Sequence, residues 1–249
     1  MSEDGKIHFV PSVHFSPVHR RRVRETIDEC EPDLVAVELD ERRFRRLVDD
    51  TRTTPEDLFR DRPPATAATY SLLRAIQRTV IRLYGLDPER TDMETAIETA
   101  AERDLEVALI DEPIAEIVAA LTERVGPETI PKTMLRAQLL GPEDRLNQVR
   151  MLTMPFQNVE SGDDVEPAIR TMRRLLPEVT EVMIDRRDRA MARRLARISQ
   201  EGYDVVAIVG AGHHNGIRRE LQALEGHDLS DVEVPIREPT RTVTTIPIE

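Results

Sequence analysis

Four short apolar runs punctuate the chain: Ile7-His8-Phe9-Val10, Leu34-Val35-Ala36-Val37, Val107-Ala108-Leu109-Ile110 and Val205-Val206-Ala207-Ile208-Val209. They are continuous rather than alternating, which predicts strands covered on both faces of a parallel sheet. Helical patterns separate them. Val18 to Cys30 carries apolar positions at Val18, Val23, Ile27 and Cys30, and stops before Pro32. Asp92 to Arg103 and Ile114 to Arg124 repeat apolar residues at helical spacing, the second ending at Gly126. This βαβα alternation selects an α/β fold, a mainly parallel central sheet flanked by helices. Thr53 to Pro64 reads as a loop leading into a helix from Thr66 to Tyr84. From 127 to 177 the pattern is helical but broken by prolines and glycines, which predicts a helical insertion beside the sheet. Pro177 opens a long helix to about Ser199. In the tail, Val232-Glu233-Val234 and Thr242 to Ile246 have the character of edge strands. One local pattern occurs twice: strand, short turn, histidine, helix, at Ile7–His14 and Val205–His213.

Length and composition place this pattern in one domain over residues 1–249, large enough to bury a substantial core. No run approaches ~18 consecutive apolar residues, so no membrane span is expected. The start, Met1-Ser2-Glu3-Asp4-Gly5, lacks the basic and apolar regions of a secretory signal. Cys30 is the only cysteine, which excludes a disulfide framework and a thiolate zinc site; a cytoplasmic location is the expectation. A net charge of −12 argues against a nucleic-acid partner, because phosphates call for a basic face. Lys6 and Lys132 are the only lysines among 35 basic residues. Such an acidic, arginine-rich balance suits a chain adapted to high salt and equally a high-GC codon bias.

Candidate chemistry collects where the strands end. The first run leads into His14, the second into Glu38, the third into Asp111, and the last into Gly210-Ala211-Gly212-His213-His214. In a doubly wound sheet the carboxyl ends of parallel strands line one edge, where ligands bind. Imidazole with carboxylate there suits a divalent metal ion, and it also suits general acid–base work near neutral pH. Asp40 and Asp111 have the positions of helix caps, and His8, His19 and His227 read as structural or solvated. His14 and His213, repeating one local geometry, read as functional. Arg187 falls four residues after Met183 and four before Met191, inside the stripe Val179, Val182, Met183, Met191, Leu195 and Ile198. A guanidinium facing a core needs a partner or a ligand anion, which makes Arg187 the charged group expected to reach the site.

These residues carry a resemblance to a known family. His14-Phe15-Ser16, Val23 to Ile27, and Pro32 to Arg43 with its Val37-Glu38-Leu39 core are similar to the opening of TraB/PrgY proteins, where a G-x-x-H turn precedes a strand ending in V-E-L-x-x-x-R. Ile184 to Ala192 resembles that family's long-helix motif, with Arg187 and Asp188 on matching positions. Gly210-Ala211-Gly212-His213 resembles its second G-x-x-H turn. The family groups with Tiki, GumN and erythromycin-esterase-like proteins. The resemblance implies metal-dependent hydrolysis, proteolytic in Tiki, while TraB and PrgY are associated with shutting down a peptide pheromone. Carried over, His14, Glu38 and His213 would hold a divalent ion (Mn, Zn or Co), with Glu38, Arg43 and Arg187 as catalytic residues. Pro11 stands where the family has glycine, Glu112 where many relatives have arginine, and membrane helices like the C-terminal ones of many prokaryotic relatives are not expected in residues 1–249.

Two other classes compete with a hydrolase. A non-catalytic module that binds a peptide or small ligand is favoured by Pro11 and Glu112. Nucleotide binding is suggested by Gly210-x-Gly212-x-x-x-Gly216 after a strand, although its spacing is one residue longer than the dinucleotide fingerprint. A helical insertion beside the sheet would also suit a homodimer.

Overall fold

A computed structural model of the chain describes residues 4–13, 16–48, 91–126, 128–143, 146 and 159–239. Its core is a sheet in the order β1 (Ile7–Ser12), β4 (Val205–Gly210), β2 (Leu34–Val37), β3 (Glu106–Leu109) and β5 (Ile236–Arg237). The first four strands are parallel, and only β5 runs antiparallel, against β3. All four apolar runs are therefore strands, and all four carboxyl ends lie along one edge.

The central strands β2 and β4 are apolar throughout because each face has its own cover. Val35 and Val37 of β2, Val107 and Leu109 of β3, and Val206 and Ile208 of β4 pack under α1 (Pro17–Cys30), α2 (Glu41–Val48) and α3 (Asp92–Glu102) through Val23, Ile27, Phe44, Met93 and Ile97. The alternate residues Leu34, Ala36, Ala108, Val205 and Ala207 face the other way. They pack on Met191, Leu195 and Ile198 of α8 (Arg186–Gln200) and on Ile217 of α9 (Ala211–Ala223). Each buried Val, Leu, Ile, Phe or Met side chain contributes about 1.5–3 kcal/mol, which fixes the register of a two-sided sheet. Pro11 is accommodated because β1 lies at the edge, where one backbone face needs no ladder donor.

The helix predicted from Pro177 to Ser199 is instead three pieces. α7 (Pro177–Thr180) leads into a π-helical turn, Glu181–Asp185, which leads into α8. A π turn inserts an extra residue and turns the side chains beyond it about the axis. The apolar stripe therefore divides. Val179 and Val182 pack on Ile117 and Leu121 of α4 (Ile114–Arg124), whereas Met191, Leu195 and Ile198 pack on the sheet. Arg187 stands at the junction.

Within 127–177 the described residues form α5 (Thr129–Gln138) and α6 (Gly162–Leu175), the latter packed on α9. Pro131 costs little in the first turn of α5, where backbone N–H groups have no intrahelical acceptor. α6 opens on a Ser161–Asp164 capping box and continues through Pro167. Val232-Glu233-Val234 is not a strand; the chain joins the sheet just afterwards, through Ile236–Arg237. The predicted loop from Thr53, the helix to Tyr84 and the strand at 242–246 lie outside the described residues.

Candidate functional site

The strand-end prediction brings together Glu38, Asp111 and His213; His14 lies outside the described residues. Glu38 directly follows β2, Asp111 follows β3 by one residue, and His213 occupies the first turn of α9 after β4. All three are buried, as is Arg187 from α8. The guanidinium is the hub. Its Nε donates to Asp111 Oδ1 at 3.0 Å and its Nη2 to Asp111 Oδ2 at 2.6 Å. Nη2 also donates to Glu38 Oε1, and Nη1 donates to His213 Nε2 at 3.0 Å and to the Met183 carbonyl at 3.2 Å. Those five bonds use all five N–H donors of the side chain.

The same bonds fix the histidine. A guanidinium only donates, so Nε2 of His213 must accept, and the ring proton sits on Nδ1. Nδ1 donates to Asp188 Oδ1 at 2.6 Å. His213 is thus neutral, oriented by a carboxylate on one side, with its lone pair turned toward the strand ends. Glu38 Oε1 lies 3.4 Å from Nε2, and Glu38 Oε2 accepts the backbone N–H of Gly210 at 2.7 Å.

Charge accounts for the protonation states. Burial alone would raise the pKa of Asp111, but the guanidiniums of Arg187 and Arg43 outweigh it and hold that carboxyl below its ordinary value. Burial would likewise lower the pKa of Arg187, and Glu38 and Asp111 reverse the shift, so it stays charged. Asp188 differs. Burial pushes its carboxyl above the usual range against the pull of His213, and among the described residues its Oδ2 has no hydrogen-bond partner.

Arg43 is bonded to Asp111 through Nη2 and to Asp40 Oδ1 through Nε at 3.4 Å. Asp40 is a cap twice over: Oδ1 accepts from Arg43 N at 2.7 Å in the first turn of α2, and Oδ2 accepts from Ile114 N at the start of α4. Asp111, expected as a cap, is instead central to the ion network. Glu112 is matched by Arg186 at 2.8 Å. His19 is structural, with Nε2 donating to the Val159 carbonyl at 2.8 Å. Asp188 was legible only as a position matching the long-helix motif. The added physical signal is Gly216, where a side chain would overlap the Asp188 carboxylate. Gly212 and Gly216 both lie within α9, and the Asp188 contact accounts for the second glycine.

A divalent ion can be tested against this geometry. Two donors 3.4 Å apart suit one ion with ligand bonds of about 2.0–2.2 Å. Both donors, however, already face the Arg187 guanidinium, and the carboxylates of Glu38 and Asp111 are balanced by Arg187 and Arg43. Glu38 and His213 do not fit a divalent ion while Arg187 is in place.

A three-layer α/β domain with a buried carboxylate–arginine–histidine cluster at its strand ends is what the fold and site define. The chain belongs to the TraB/PrgY/gumN family, whose sequence profile matches residues 1–230. It is 28% identical over 239 residues to an uncharacterized protein of Methanocaldococcus jannaschii. The match takes in 92% of this chain but 56% of that relative, so the chain spans about half the relative's length. Among the described residues no helix is long and apolar enough to cross a membrane.

Proposed function

We propose that the strand-end cluster is the working site of a hydrolase acting on a peptide or another small molecule. The observation that carries this reading is the Asp188–His213 pair, 2.6 Å apart and buried, with Nε2 presented beside Glu38 where the strands end. A neutral imidazole held by a carboxylate is a general base of suitable strength near pH 7. In this reading a water displaces Arg187 Nη1 from His213 Nε2, Nε2 takes a proton from that water, and the hydroxide adds to the substrate carbonyl. Asp188 holds the ring and balances the imidazolium that forms. Arg187 faces the charge developing on oxygen. Its bond to the Met183 carbonyl is the longest of its five and the only one to a backbone group, so it is the one an oxyanion would replace. Collapse expels the leaving group, which takes the proton back from His213.

A second reading, a non-catalytic ligand-binding module, is favoured by the complete satisfaction of Arg187, which leaves no donor free. One experiment separates them. The purified protein is assayed against pooled peptides and esters, alongside His213→Ala and Glu38→Gln variants whose folding is checked by circular dichroism. The hydrolase reading expects turnover that falls about 10²- to 10⁴-fold in His213→Ala, which loses the base, and that also falls in Glu38→Gln, which loses the carboxylate beside Nε2. No turnover, together with a peptide that raises the melting temperature of wild type and Glu38→Gln alike, establishes the binding module instead.

A further inference from the structure

The Arg187 guanidinium lies against both His213 Nε2 and Glu38 Oε1, bonded to the first through Nη1 and to the second through Nη2. Nε2 and Oε1 are 3.4 Å apart, a separation that one ion could bridge. We propose that Arg187 is the resident cation of this site and that it and a divalent ion are mutually exclusive occupants. The inference rests on reading the cluster as a working site, and it deepens that reading by saying which cation does the work.

Charge decides the exclusion. With Arg187 present, Glu38 and Asp111 are each bonded to a guanidinium, and a divalent ion on Nε2 and Oε1 would bring two further positive charges against Arg187 in a buried cluster. Without Arg187, Glu38 loses its buried cationic partner beside an oriented imidazole lone pair, and that arrangement attracts a cation. The Asp188 bond to Nδ1 is the outer-shell support that metal-binding histidines use, and here it presents Nε2 to a guanidinium. The guanidinium is also held by geometry, because its fork meets Asp111 through two nitrogens.

The test is read in binding and stability rather than turnover, so it fails separately from the hydrolase reading. Metal-free protein is titrated calorimetrically with Mn²⁺ and with Zn²⁺, and melting temperatures are taken with and without each ion. Arg187→Met removes the charge and keeps the length, Arg187→Lys keeps a charge without the fork, and Arg187→Met with His213→Ala removes the nitrogen ligand as well. Arg187→Met is expected to bind at least one of the ions more than about tenfold tighter than wild type, and to gain melting temperature with it. The gain should vanish in the double variant, and Arg187→Lys should bind no better than wild type. If Arg187→Met folds only when an ion is added, that also supports exchange of one cation for another. Wild type binding as tightly as Arg187→Met overturns the proposal. So does an Arg187→Met variant that neither binds an ion nor folds with it, or an Arg187→Lys variant that binds as well as Arg187→Met.

Discussion

The Asp188 carboxylate fills the space that Gly216 leaves by having no side chain. Oδ2 of Asp188 lies where a Cβ on residue 216 would be, while Oδ1 accepts from His213 Nδ1 at 2.6 Å. His213 and Gly216 are three residues apart on α9 and so share a face, and that face is turned to α8. The orientation of the imidazole therefore depends on an absent methyl group one turn away.

Gly216→Ala tests this dependence. Alanine in a helix interior is ordinarily favoured over glycine by about 1 kcal/mol. Here the new methyl group collides with Asp188, and overpacking of this kind costs about 1–3 kcal/mol. A net loss of stability is expected in urea denaturation and, under the hydrolase reading, lower turnover because the His213 ring loses its anchor. A gain near 1 kcal/mol would mean that Asp188 does not occupy that space.

Asp188→Asn separates orientation from stability. The amide oxygen can still accept from Nδ1, so ring geometry survives, but the negative charge that balances an imidazolium is gone. Because burial disfavours the charged form of Asp188, removing that charge should leave the unfolding midpoint unchanged or raise it. Under the hydrolase reading kcat should fall about 10²- to 10⁴-fold. Equal losses in stability and rate would reduce Asp188 to a packing residue.

Arg187 and Arg43 both bond Asp111, yet their removal should differ. Arg187→Ala leaves Glu38 and Asp111 without their buried partner, a change that costs about 3–5 kcal/mol. The Arg43 side chain is 25% exposed, and Arg43→Ala leaves Asp111 still bonded to Arg187, so a loss of no more than about 2 kcal/mol is expected. Denaturant midpoints for the two variants give the comparison, and similar losses would contradict the central place of Arg187.

Much of this arrangement was legible because it follows from period and position. Continuous apolar runs specify strands covered on both sides, and the residue after such a strand falls on the ligand-binding edge whatever the order of strands; Glu38 and His213 are placed by that logic. Arg187 was legible from helical spacing alone, since a cation inside an apolar stripe has to be paired. Its partners were not. Asp111 has the local sequence of a cap, and only the pairing of β2 with β3 brings it beside Glu38 and makes it an ion-pair partner. The π turn left no mark in the pattern because the extra residue falls between two apolar segments that each keep helical spacing. The Val232-Glu233-Val234 alternation suited a strand, but the register against β3 is taken by Ile236 and Arg237.

His214, beside the site histidine, gives a prediction in pH. Its Nδ1 accepts the backbone N–H of Gly162 at 3.2 Å, tying α9 to the start of α6, and its ring meets Phe9 edge-on with centroids 5.4 Å apart. Burial lowers its pKa below the ordinary histidine value, and the nearby Arg218 acts in the same direction; Asp163 and Asn215 oppose them. The folded protein thus holds His214 neutral while the unfolded chain protonates it near pH 6.5. Between those two pKa values the unfolded state binds more protons, so stability rises with pH. It is complete above about pH 6.5 and is lost as pH falls toward the lowered value. Asp188 contributes with the opposite sign: its raised pKa makes the folded state hold a proton more tightly, so its share is greatest in acid and declines as pH rises. That share is common to wild type and His214→Phe, and it cancels in their difference. Urea midpoints measured from pH 5 to 8 should show wild type falling more steeply toward acid than His214→Phe. At pH 8 the variant should be weaker by about 1 kcal/mol for the lost bond to the α6 terminus. Parallel curves would show that folding does not shift the His214 pKa, against a buried imidazole accepting from Gly162.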